Sequence, residues 1–272
     1  MAKKILGISW LNGRFDAAAL EGGAVSGSWL CPAPVNDEVD FGIALVEAVR
    51  QTHFSGTQIM LVLDHRSLLF HVQETPPAAE KLVGQMLQRL VERNQFFEGK
   101  ALWSRLDLPG AKDKRRFLLA LLPEAFVQNL VRTCADQGFE LAAIFPLVAV
   151  LDAKLRALAV APAETVLLAI DLGSALHLLL GKGDGTVLFS RTLLTGDAIG
   201  SERVLQEINR TMHFAQQQFA AKVTQMFVSG ANAFSVLRIC RLATASKFNL
   251  RPFQRRPSIM RGVQQASPLG FR

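Results

Sequence analysis

Thr165-Val166-Leu167-Leu168-Ala169-Ile170-Asp171, Leu172-Gly173-Ser174, Ala175-Leu176-His177-Leu178-Leu179-Leu180 is the stretch on which the reading of the fold turns. Its first seven residues form an apolar run too short for a stable helix and rich in β-formers. A glycine turn follows, and then a second apolar run, so the local reading is strand, tight turn, returning strand. Gly181-Lys182-Gly183-Asp184-Gly185 turns the chain again, and residues 187–193 read as a third strand. The same grammar opens the chain. Residues 4–9 read as a strand, and residues 11–14 as a turn carrying Asn12-Gly13, a strong hairpin signal. Residues 15–20, Glu21-Gly22-Gly23 and residues 24–30 complete a second three-strand meander. Laid over each other, Ile5-Leu6-Gly7-Ile8-Ser9 matches Leu167-Leu168-Ala169-Ile170-Asp171. Two matching meanders roughly 160 residues apart predict a gene-duplicated two-domain protein rather than a short-period solenoid.

Between the meanders, helical and strand signals alternate. Residues 38–52 carry Val39, Ile43, Val46 and Val49 at helical spacing, which predicts that face as the buried one. Residues 58–63 and 68–72 read as strands. Pro76 and Pro77 open a helix to about Asn94, with Leu82, Met86, Leu87 and Leu90 as its apolar face. Residues 101–106 and 115–122 read as strands, and Pro123 begins a helix closed by Gly138. A strand over 139–144, a helix from Pro146 to about Ala157 and the linker Ala159-Val160-Ala161-Pro162-Ala163 lead into the second half. There a helix over about 198–219, with Val204, Ile208, Met212 and Phe219 on one side, precedes a strand at 225–228. This mixture of strands and helices predicts an α/β fold.

Composition narrows the function classes. Of 272 residues 50% are apolar and 19% charged, enough for one or two sizeable cores and too few charges for a disordered chain. No apolar run reaches the roughly 18 residues of a membrane-spanning helix, and the N-terminus lacks a signal-peptide core. Cys31, Cys134 and Cys240 are far apart, with no metal-ligand spacing, so the expected site has no metal and the expected location is cytoplasmic. The net charge of +7 is concentrated: residues 208–272 hold ten Lys/Arg and no Asp or Glu. Such a segment suits an acidic partner, anionic lipid or nucleic acid, or is a solvated basic tail. The run Arg251-Pro252-Phe253-Gln254-Arg255-Arg256-Pro257 is too short, without a recognisable nucleic-acid fold, to predict nucleic-acid binding. The five histidines show no ligand spacing, and no Ser/His/Asp or Cys/His constellation or GxGxxG before a helix is present.

The hairpin Ala169-Ile170-Asp171-Leu172-Gly173-Ser174 resembles the second phosphate motif of the actin-like (sugar kinase/Hsp70/actin) superfamily. With Leu188 to Leu193, Thr195-Gly196-Asp197, Glu207 to Phe214 and Phe227-Val228-Ser229-Gly230-Ala231-Asn232 it is similar to the order of blocks in PilM-type proteins of type IV pilus and related secretion machines. Leu121-Leu122-Pro123-Glu124 and Gln137-Gly138-Phe139-Glu140 resemble the segment closing that family's extra subdomain. The resemblance covers most of residues 1–240. It implies a duplicated actin-like (ribonuclease H-like) two-domain α/β fold with an extra small α+β subdomain. The first domain would be 1–160, with the insertion at about 58–145. The second would be 161–272, shortened and ending in the basic segment.

The resemblance also implies a nucleotide cleft whose surviving residues are Asp171, Gly173, Ser174, Gly230, Asn12 and Gly13. Departures from the pattern weaken that cleft. Ser9 stands where the first phosphate motif carries an Asp, and Trp10 and Leu11 where it carries small residues. The stretch between Gly196 and the following helix is short, and the adenosine turn keeps only Gly230 of its glycines. The expectation is a pseudo-ATPase with no catalytic residue and no cofactor, ATP and magnesium being disfavoured. By the family's example it would be a cytoplasmic scaffold at the inner membrane that binds the cytoplasmic N-terminal peptide of a PilN-like partner, in a cleft among residues 58–73 and 101–145. A homo-oligomer or ring is compatible with that role. An active ATP-binding ATPase, and the cytoplasmic part of a type II secretion L-type component, are the alternatives.

Overall fold

The computed structural model describes residues 3–109, 113–172, 175–194, 202–230 and 249–252. These fall into two compact units that divide between Val150 and Leu151.

The first unit is built on β1 (Lys4–Leu11), β2 (Arg14–Glu21), β3 (Ala24–Leu30), α1 (Glu38–Gln51), β4 (Gln58–Asp64), α3 (Glu124–Asp136) and β8 (Glu140–Pro146). The β1–β2 turn is Asn12-Gly13, with φ of +49° and +87°. Positive φ at both central residues is the geometry whose twist matches the flanking strands. The sheet runs β3-β2-β1-β4-β8: the meander is antiparallel, while β4 and β8 add in parallel. Leu6, Ile8 and Trp10 of β1 and Ile59, Leu61 and Leu63 of β4 form one buried face, against Phe41, Leu45, Phe126 and Leu130 of the two helices.

Here the predicted face of α1 is corrected. Val39, Ile43 and Val46 are 73%, 68% and 48% exposed, while Phe41, Ala44, Leu45 and Ala48 are buried; of the predicted stripe only Val49 packs against the core. The helix carries two interleaved apolar stripes at helical spacing, and periodicity alone cannot rank them. The stripe containing Phe41 removes more apolar area from water. It also sets Gly42 toward α3, where a Cβ would lie 3.1 Å from the Thr133 methyl. The helix start is fixed by Asp37, whose Oδ1 accepts from the Val39 and Asp40 amides at 3.0 and 2.9 Å.

Between β4 and α3 lies a separate three-stranded antiparallel sheet of β5 (Leu69–Thr75), β6 (Ala101–Leu108) and β7 (Arg115–Pro123), in the order β5-β7-β6. One face is covered by α2 (Glu80–Asn94), whose Val83, Leu87 and Val91 pack on Trp103, Phe117, Leu119 and Leu121. Of the predicted face, Leu87 lies in the core and Leu90 packs against it, whereas Leu82 is 50% exposed and Val83 takes the core position. Pro76 and Pro77 precede the helix by a few residues rather than opening it. The small sheet is the α+β insertion.

The second unit contains β9 (Thr165–Asp171), β10 (Ala175–Lys182), β11 (Val187–Leu194), α5 (Glu202–Phe219), β12 (Val223–Gly230) and β13 (Asn249–Pro252), and α4 (Leu147–Arg156) spans the division. Its sheet runs β11-β10-β9-β12-β13, with an antiparallel meander and two parallel additions. That is the topology of the first sheet, element for element. Val204, Ile208 and Ala215 of α5 meet Leu167, Ala169, Met226 and Val228 of the sheet, with Met212 and Phe219 half-buried at the margin. The basic run at 251–257 begins as strand β13, parallel to β12; the rest of it lies outside the described residues.

Candidate functional site

In open sheets that contain parallel strands, ligands bind beyond the carboxyl ends of those strands. In the first unit the ends of β1 and β4 meet at the Asn12-Gly13 turn. The Asn12 amide donates to the Asp64 carbonyl at 2.7 Å, and its Nδ2 donates to Asp64 Oδ2 at 3.0 Å. Gly13 accepts from the Val35 amide at 2.8 Å, which ties the turn to the segment before α1. Sequence reasoning named Asn12 and Gly13 and missed Asp64. The available signal was an acidic residue closing the apolar run of β4.

His65, the next residue, is buried between Trp10 and Phe126, with ring centroids 4.5 and 5.1 Å away. Its Nδ1 accepts from the Ser67 amide at 3.1 Å, which places the neutral ring's proton on Nε2. Burial pushes its pKa down; the Arg66 charge adds to this, and the Asn36 backbone, Glu38 and Asp64 only partly offset it.

The counterpart in the second unit is the end of β9. Asp171 is buried and pairs with Leu176 of β10 and with Gly230 of β12. The Leu172 amide donates to the Ala175 carbonyl at 2.8 Å and closes the turn. The sheet therefore brings Asp171 and Gly230 together, while Gly173 and Ser174 lie outside the described residues. His177, on β10, is buried between the Thr192 and Ser190 hydroxyls at 2.8 Å each. A further polar group joins strand to helix: Arg191 Nη2 donates to the Glu207 carbonyl, the Glu207 carboxylate and the Thr211 hydroxyl, at 2.9, 3.1 and 2.6 Å.

The pairing registers correct the alignment of the two meanders by one residue. In β9 the side chains facing α5 are Leu167 and Ala169, and strand alternation adds Asp171. In β1 the side chains facing the helices are Leu6, Ile8 and Trp10. Opposite them on the parallel neighbour stand Ile59, Leu61 and Leu63 in the first unit, and Met226, Val228 and Gly230 in the second. The positional equivalent of Asp171 is thus Trp10, not Ser9. Trp10 is fully buried, and its indole N–H donates to the Val35 carbonyl at 2.7 Å. It is a core residue and not part of the turn, as Leu11 also is.

The small sheet offers a different kind of surface. On the face away from α2, Ser104, Leu106, Leu118 and Ala120 close against Pro146, Val148 and Ala149, leaving a gap of only about 10 Å³. Strand β5, at the sheet edge, is open: Leu69, Phe70 and Val72 are 39%, 37% and 45% exposed. Among the described residues no group of three or more His, Cys, Asp or Glu is placed to hold a metal ion, and no helix is long and apolar enough to cross a membrane.

No protein-family profile and no curated protein matches the sequence. Solved structures do. A PilM–PilN type IV pilus biogenesis complex aligns over 92% of this chain and 88% of that one, with a TM-score of 0.73 at 12% identity. The cytoplasmic domain of EpsL, an inner-membrane component of the type II secretion system of Vibrio cholerae, aligns over 97% and 94%, with a TM-score of 0.55 at 12% identity. A Bacteroides thetaiotaomicron protein described as having an actin-like ATPase fold and unknown function aligns over 97% and 96%, at 0.56 and 9% identity. At these identities the likeness is one of fold. The chain has a PilM-like, actin-like two-domain α/β fold.

Proposed function

We propose that this chain is a non-enzymatic assembly scaffold of a type IV pilus or related secretion machine, capturing the extended cytoplasmic tail of a PilN-like inner-membrane protein along β5. The observation that carries the reading is the open edge of the small sheet. An edge strand presents unpaired backbone donors and acceptors to an incoming extended chain. Beside those groups β5 sets exposed Phe70 and Val72 on one face and Leu69 on the other. A peptide with apolar side chains at alternate positions would gain both backbone pairing and apolar contact there. The fold shared with a PilM–PilN complex supports the same class of partner.

In this reading the chain works without nucleotide. A magnesium nucleotide needs a carboxylate to orient metal-bound water, and backbone N–H groups free to meet phosphate oxygens. At the first hairpin the position equivalent to Asp171 is the buried indole of Trp10, the Asp64 carboxylate accepts from Asn12 Nδ2, and the Asn12 amide is already committed to the Asp64 carbonyl. The test is fluorescence-polarisation binding of the cytoplasmic N-terminal tail peptide of a PilN-like inner-membrane protein from the same organism. Saturable binding without nucleotide, lost in Phe70→Glu and Val72→Lys, is the expected result. Absence of binding with or without ATP–magnesium, or binding indifferent to both substitutions, refutes the reading.

A further inference from the structure

We infer that the solvent face of α1, together with the groove beside it, is a second docking surface, independent of β5, built for a basic amphipathic helix. Three facts converge on it. Val39, Ile43 and Val46 are exposed and spaced i, i+4, i+7, an apolar ridge on a 14-residue helix about 21 Å long. Alongside this ridge runs a groove of about 430 Å³, with Trp29, Cys31 and Pro34 on one wall and Ile43 and Ala44 on the other. The rim is acidic. Asp40 and Glu47 line the groove, and Asp37 and Glu38 stand at its helix N-terminal end. Arg50, the one base of the helix, pairs with Glu47, so the acidic excess of this face rests on Asp37, Glu38 and Asp40.

Physical chemistry selects the occupant. Segment 31–35 turns backbone groups inward, the Cys31 amide to the Phe15 carbonyl and the Val35 amide to the Gly13 carbonyl. Pro32 and Pro34 carry no N–H, so this segment offers an incoming strand no ladder to pair with. A helix needs only side chains, and its i, i+4 ridge fits beside the α1 ridge. The carboxylates favour Lys and Arg flanking the apolar anchors, and speed encounter with them. The same carboxylates repel anionic lipid headgroups, so a basic helix is favoured over an anionic membrane surface.

The test uses the full chain and two synthetic 14-residue helices of identical Leu pattern, one with Lys and one with Glu at every polar position. Titration is followed by calorimetry at low and physiological salt, with sedimentation of the protein alone at matching concentrations. The Leu/Lys helix is expected to bind saturably, at least tenfold more tightly than the Leu/Glu helix. Ile43→Ser and Glu47→Lys should each weaken it about tenfold, whereas Phe70→Glu leaves it unchanged. Equal binding of both helices overturns the inference, as does Leu/Lys binding indifferent to Ile43→Ser and Glu47→Lys. Concentration-dependent self-association abolished by Ile43→Ser also overturns it, because the face then belongs to a second copy of this chain. Tail-peptide binding at β5 reports separately on the proposed scaffold role.

Discussion

Replacing Phe117 by Ala should open the small sheet while leaving the rest of its unit folded. Phe117 is fully buried at the centre of the sheet, against Val83, Leu87 and Val91 of α2. The Arg105 and Arg115 guanidinium groups lie over its ring at 5.2 and 5.1 Å, and both pair with Glu80 at the start of α2. Truncating a buried Phe costs about 3–5 kcal/mol through lost burial and the cavity left behind. Each cation–π contact adds about 0.5–1 kcal/mol at a partly exposed Arg. The loss is therefore roughly 4–7 kcal/mol, against the roughly 3–5 kcal/mol that so small a core supplies. Local opening should become the lowest-energy exchange route for β5, β6, β7 and α2. Hydrogen exchange read by mass spectrometry should show fast exchange across these four elements, with β1, β2, β4 and the second unit still protected. Phe117→Leu should give a partial effect. Two results refute the reasoning: protection of the small sheet within about 1 kcal/mol of the parent, or equal loss across the β1–β2–β4 sheet.

The two stripes of α1 should separate cleanly in urea unfolding. Leu45→Ala loses about 2–5 kcal/mol, and Ile43→Ser stays within about 0.5 kcal/mol of the parent. Because burial lowers the His65 pKa, the unfolded chain takes up that proton first as pH falls. Its contribution to stability is complete above the unfolded value of about 6.5 and declines below it, and His65→Gln should flatten this part of the pH–stability curve. In the second unit a Cβ on Gly183 would lie 2.1 Å from the Ala161 carbonyl oxygen, a backbone atom that cannot rotate away. Gly183→Ala should lower stability by about 1–3 kcal/mol, whereas Gly84→Ala, where a Cβ meets nothing within 4 Å, should be neutral or stabilising.

Sequence alone determined what is written in neighbouring residues. Apolar runs bounded by glycine turns set the two meanders, and Asn12-Gly13 set the first hairpin, because those choices depend on φ and on short-range alternation. Repetition of that grammar then carried the duplicated two-domain architecture, which the shared strand order of the two sheets displays, while the actin-like reading came from the resemblance of the motif blocks. Where two local readings were equally good, only the tertiary structure decided. On α1 both stripes satisfied the helical period, and packing against β1 and α3 chose the one with the aromatic ring. An alignment of five residues could not tell Ser9 from Trp10 as the match for Asp171, since a one-residue slip merely exchanges the faces of a strand. The partner strands β4 and β12, far away in sequence, fixed the register. Asp64 joined Asn12, and His177 joined Ser190 and Thr192, through pairings across 13 to 52 residues. Local propensity has no term for such distances; burial and hydrogen-bond satisfaction in the folded chain do.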